Sequence, residues 1–78
     1  MNEVHQYIIC CGVDAGFSHR YIARLAFGKA TEKNIKRVKN FCFRSGFKVT
    51  DYRAGKSDKA KQIAVAILDR MKEKVRAA

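Results

Sequence analysis

Apolar side chains recur at helical spacings through most of this 78-residue chain, and glycines or hydroxyl residues stand where each run breaks. Val4, Ile8, Cys11 and Ala15 succeed one another at intervals of 4, 3 and 4, which draws one stripe along a first helix running from an Asn2 cap to about Ala15. Tyr7 flanks that stripe. A second helix runs from Ser18 to about Phe27 and is stopped by Gly28. Ile22 and Leu25, three apart, face inward there with Tyr21 and Ala26. Arg20, Ala23, Arg24 and Phe27 then point the other way, with His19 at the edge. Thr31 caps a third helix, and Glu32 suits the positive end of its dipole. Ile35, Val38 and Cys42 form the inner stripe of that helix, with Phe41 and Phe43 at its two edges. Lys33, Arg37 and Arg44 lie opposite, and Lys36 and Lys39 take intermediate angles.

Gly46 ends the third helix. Residues 47–52 (FKVTDY) alternate and are rich in β-formers, so they predict a short strand. A lone strand is not stable. It either pairs with a second copy across a dimer axis or runs extended against the helices. Ser57 caps a last helix to about Arg76, with Ala60, Ile63, Ala64, Ile67, Met71 and Val75 inward and Leu68 widening the stripe. Three short helices do not easily cover so long a stripe, so part of it is expected to meet another subunit; packing within its own domain is the competing expectation. The fold class is mainly α. One domain over 1–78 comprises a three-helix core at 2–46 and, at 47–78, a strand and C-terminal helix that serve dimerisation.

The junction of the first two helices narrows the picture further. Gly12 sits where the helices should cross closest, and only a very small side chain lets the backbones approach there. Ala15 is the last core residue of the first helix, and Gly16 stands where the turn needs a positive φ. Phe17 plugs the turn, and Ser18 caps the next helix. Small residues, turn glycine, cap and apolar positions all fall in register for a helix-turn-helix. Its second helix would present Arg20 and Arg24 outward, in the manner a DNA major groove accepts. A plain helical hairpin with a solvated basic face is the bland alternative.

Composition agrees with a polyanion partner. The net charge is +10. Residues 18–48 carry nine basic side chains against Glu32 alone, so the excess gathers on the second helix and on the third helix beyond it. A chain this short buries only about 60% of its extended surface, and dimerisation would reinforce its core. Cys10, Cys11 and Cys42 have no C-x-x-C spacing; without a signal peptide they read as small buried hydrophobes in a reducing cytoplasm. No metal site is expected from them with His5 or His19. No run approaches the roughly 20 apolar residues that span a bilayer. Gly55-Lys56-Ser57 after a strand is like the end of a phosphate-binding loop, but Thr50 stands where that loop needs glycine.

From Ala15 to Phe47 the chain resembles the DNA-binding headpiece of the lactose-repressor family and, less closely, the phage-repressor type of helix-turn-helix. The matching residues are Ala15-Gly16-Phe17-Ser18, Ile22-Ala23-Arg24-Leu25, Gly28-Lys29, Ile35, Arg37-Val38 and Gly46-Phe47. The resemblance implies base contacts from His19, Arg20 and Arg24, and a helix-capping, phosphate-contacting role for Ser18. Two features depart from that family: a shorter connection between the second and third helices, and a strand and helix in place of the family's sensor domain. Small-molecule induction is therefore not implied.

The function expected is sequence-specific binding of double-stranded DNA by a small homodimeric transcriptional regulator, cytoplasmic and nucleoid-associated. Arg20 and Arg24 would read guanine, while Lys29, Thr31 and Lys33 would hold the backbone. A non-specific or architectural nucleic-acid binder uses the same charges without that register. A protein-interaction or inhibitor module is the third class. With two histidines, few acids and no nucleophile–base pair, no enzyme is expected, and no cofactor.

Overall fold

The computed structural model describes residues 2–47 and 58–77. Four helices occupy the described residues: α1 (Glu3–Asp14), α2 (His19–Phe27), α3 (Glu32–Ser45) and α4 (Asp58–Ala77). The chain is mainly α. Three helix starts share one device. Asn2, Ser18 and Thr31 are extended, and each side-chain oxygen accepts from the backbone N–H three residues on, at His5, Tyr21 and Asn34. That satisfies one of the orphan donors every helix start leaves.

The turn between α1 and α2 is closed by the backbone. The Phe17 N–H donates to the Gly12 carbonyl at 2.9 Å and the Gly16 N–H to the Val13 carbonyl at 3.0 Å, with Gly16 left-handed at φ 78°. This pair of bonds is the Schellman closure, and the left-handed residue within it favours glycine because a Cβ there is strained. The same closure ends α3, where Phe47 and Gly46 donate to Cys42 and Phe43. Phe47, the first residue of the expected strand, is thus buried just past the Gly46 cap of α3. Residues 48–52, which carry the rest of that strand, lie outside the described residues, as does the expected cap Ser57.

Helix α1 is the central element, with α2 against one side and α4 along another. Asp14 meets Lys61 at 3.9 Å and Glu3 meets Lys74 at 2.8 Å, so α4 runs antiparallel to α1 over its full length. Exposed pairs of this kind are worth about 0–1 kcal/mol; they mark the register rather than secure it. One apolar cluster joins all four helices: Ile9, Cys10 and Val13 from α1, Ile22 and Ala23 from α2, Val38 and Cys42 from α3, and Ala60, Ala64 and Ile67 from α4.

Several faces differ from expectation. In α1 the buried row is Ile9, Cys10, Gly12 and Val13, while Val4, Cys11 and Ala15 are exposed. Residues 8–13 (IICCGV) are apolar around the whole circumference, so periodicity alone does not choose a side; the glycine contact does. In α2, Tyr21 and Leu25 are each 47% exposed, whereas Ala23 is buried and Phe27 packs on the core. Ala23, next to the Ile22 that meets Gly12, lies fully inside the core cluster. Phe27 lies between the His5 ring, at 4.7 Å, and the Arg37 guanidinium, at 5.6 Å. Phe43 is 85% exposed, off the edge of its stripe, while Phe41 packs edge-on against Phe47. Val75 is 76% exposed, so the buried stripe of α4 stops near Met71.

The thiols separate by environment. Cys10 and Cys42 are buried and Cys11 is exposed. Burial, with the neighbouring Cys11 and Cys42, pushes the Cys10 thiol up to about 12. Since the thiolate is the reactive form, a disulfide reagent should titrate Cys11 rapidly in the folded protein and Cys10 and Cys42 only after denaturant is added. Rapid reaction of Cys10 in the native state would contradict this core.

Candidate nucleic-acid interface

The outer face of α2 is built by rotation about Ile22. Burying Ile22, Ala23, Ala26 and Phe27 turns Arg20, Tyr21, Arg24 and Leu25 to solvent. Arg20 and Arg24 stand one turn apart, about 6 Å along the axis. At the far end, Gly28 adopts the left-handed conformation and its N–H donates to the Arg24 carbonyl at 2.9 Å, which ends the helix and turns the chain to Lys29. The Asn34 side-chain amide donates to the Lys29 carbonyl at 2.9 Å, tying this connection to the first turn of α3.

These residues enclose an open cleft of about 570 Å³, lined by Ser18, Arg20, Tyr21, Arg24, Lys29 and the Gly28–Ala30 backbone. Three cations line it and no acid does. Among the described residues neither Arg20 nor Arg24 meets a carboxylate. Helix α2 also lacks acidic residues in its first turn, so the positive end of its dipole adds to the same field. Beside the cations runs an apolar edge. Phe17 stands edge-on to Tyr21, with ring centroids 4.9 Å apart, and Leu25 continues the row one turn on.

Of the other expected site residues, Thr31 and Lys33 are exposed just beyond the cleft, with the Thr31 hydroxyl oxygen engaged as the α3 cap. His19 is half-buried, its Nε2 is shielded from solvent, and it does not line the cleft. Tyr21 occupies the cleft in its stead. Sequence reasoning missed Tyr21 and Leu25 because apolar side chains at helical spacing read as core; only the rotation set by Gly12 against Ile22 reveals them.

Burial, and to a lesser degree Lys39, holds the His19 imidazole below its usual value. A histidine with a lowered folded pKa binds fewer protons folded than unfolded. Its contribution to stability is therefore complete above the ordinary histidine value of about 6.5 and is lost as pH falls below it. Urea midpoints should fall between pH 7.5 and pH 5.5, and His19→Gln should reduce that fall. An unchanged slope in the variant would count against a buried His19.

Among the described residues no group of three metal-ligating side chains comes together, and no helix is long and apolar enough to cross a membrane. Comparison with known proteins returned nothing: no family model, no curated protein and no solved structure matches this chain.

Proposed function

We propose that the outer face of α2 reads DNA, and that the protein is a small dimeric, sequence-specific DNA-binding protein of the transcriptional-regulator kind. The observation that carries this reading is the convergence of Arg20, Arg24 and Lys29 on one open, acid-free cleft beside a capped helix start. In this reading α1, the 15–18 turn and α2 form a helix-turn-helix, and α2 enters the major groove. Arg20 and Arg24 each form a bidentate pair with guanine O6 and N7. Tyr21 rather than His19 joins them at the base edges. Ser18, Lys29, Thr31 and Lys33 contact phosphate and fix the register without reading sequence.

A second copy is expected against the C-terminal half of α4, where Leu68, Met71 and Val75 border an open apolar groove of about 410 Å³. A dimer of this kind would read half-sites about one helical turn, roughly 34 Å, apart.

Selection from a randomised duplex pool, with fluorescence anisotropy on the recovered sequences, tests the reading. A twofold-symmetric site should emerge. Lys33→Ala should weaken the selected site and random duplex by the same factor, because a phosphate contact carries no sequence information. The second reading, a nucleic-acid binder without sequence choice, is favoured by the basic outer face of α3, where Lys33, Lys36, Arg37, Lys39 and Arg44 are all exposed. It takes over if binding is salt-sensitive and no site emerges.

A further inference from the structure

A second cleft lies away from α2, between the N-terminal half of α1 and the outer face of α3. It measures about 370 Å³ and is lined by Gln6, Arg37, Asn40, Phe41 and Arg44. We propose that this cleft is a separate oxyanion site that takes phosphate groups, so that the protein holds phosphate at two places rather than one.

Arg37 anchors the cleft. Its guanidinium lies 5.6 Å from the Phe27 ring centroid, and the Phe27 ring is itself seated 4.7 Å from His5. Stacking on an aromatic face restrains a long side chain while leaving the N–H edge of its planar fork open to an acceptor. Arg44 comes two helical turns later, about 10 Å along the axis. Asn40 lies between them, and Gln6 reaches the same cleft from α1. Two guanidinium forks and two amide groups, all able to donate, therefore face one space. Half-buried Phe41, braced by Phe47, forms its apolar wall.

What the cleft lacks decides the ligand class. No acid lines it, and Glu3, the acid of the same α1 half, bonds Lys74 on α4. Among the described residues Arg37 and Arg44 meet no carboxylate. Two unneutralised guanidinium groups match a doubly charged phosphate, or two successive phosphodiesters of a strand, better than a single carboxylate. The two clefts share no lining residue, and α2 reaches the second only through Phe27, which seats Arg37 from behind and is not among the residues lining the first.

One experiment reads both surfaces separately. The side-chain Nε–Hε resonances of all arginines would be tracked by NMR while the full chain is titrated with inorganic phosphate and, in parallel, with a short duplex of random sequence. Arg37 and Arg44 should shift, and should still shift in the Arg20→Gln/Arg24→Gln variant. Saturation by duplex at concentrations at least tenfold below those needed with inorganic phosphate identifies a nucleic-acid strand as the source; response to inorganic phosphate alone identifies a free phosphate ligand. Arg44→Gln, which leaves the Arg37–Phe27 stack in place, should weaken the Arg37 response several-fold in a spectrum that is otherwise folded. The proposal is overturned if Arg37 and Arg44 respond to neither titrant, or respond only while Arg20 and Arg24 are present. Failure of the α2 reading looks different: Arg20 and Arg24 stay unmoved by duplex, whatever Arg37 does.

Discussion

Gly12→Val should cost the protein a substantial share of its stability. A Cβ at Gly12 would stand 2.6 Å from Ile22 Cγ1 and 3.0 Å from its Cδ1, and Ile22 is fully buried. Overpacking of this kind costs about 1–3 kcal/mol and sometimes more, in a chain whose size suggests a total of roughly 4–12 kcal/mol. Gly12→Ala is the finer probe. Alanine gains about 1 kcal/mol over glycine in a helix interior, so the contact must cost more than that for the variant to lose stability. We expect it to lose. Ile22→Ala alone should cost about 2–5 kcal/mol through the cavity it leaves. Combined with Gly12→Ala it should cost less than the sum, with a coupling of about 0.5–3 kcal/mol, because the added methyl occupies part of the vacated space. Urea unfolding of the four proteins gives the cycle. Strict additivity, or a stabilised Gly12→Ala, would mean that α1 and α2 do not meet at this point.

The second large effect concerns recognition. Under the proposed function, Arg20→Gln with Arg24→Gln removes two bidentate base contacts at about 1–3 kcal/mol each. Preference for the selected site over random duplex should then fall roughly 30-fold to 10⁴-fold, while helical content stays unchanged because both side chains are exposed. Competition anisotropy at fixed salt measures the ratio. If affinity for specific and random duplex falls equally, these arginines are phosphate contacts and α2 is not the reading helix.

The helix ends of this fold were legible in the sequence, and the helix faces were less so. Asn2, Ser18, Thr31, Gly16, Gly28 and Gly46 sit where capping chemistry requires them, and that chemistry is local: a hydroxyl or amide reaches three residues, and a glycine takes the left-handed turn. Which side of a helix is buried is a tertiary matter. The IICCGV run of α1 offers apolar atoms in every direction, and the choice of Ile9 and Val13 is set by neighbours far along the chain. For α2, hydropathy favours Tyr21 and Leu25 as core, whereas the fold buries Ala23 beside the Ile22 that meets Gly12. The outward placement of Arg20 and Arg24 survives that rotation because charge keeps both in water on either assignment. His19, amphipathic, stays at the edge where the sequence puts it, half-buried and outside the cleft. The second cleft could not be read from sequence at all, since Gln6 and Arg37 meet only through the fold.

The antiparallel seam between α1 and α4 bears on how the chain is made. Glu3 and Lys74 are 71 residues apart, and Ala60, Ala64 and Ile67 complete the cluster that Ile9, Cys10 and Val13 begin. A nascent chain therefore emerges from the ribosome with one side of its central helix bare, and α2 and α3 arrive before the helix that covers it. Closing so distant a contact comes after the local ones, and the exposed row is open meanwhile to chaperones or to another nascent copy. The core is complete only once α4 has left the exit tunnel.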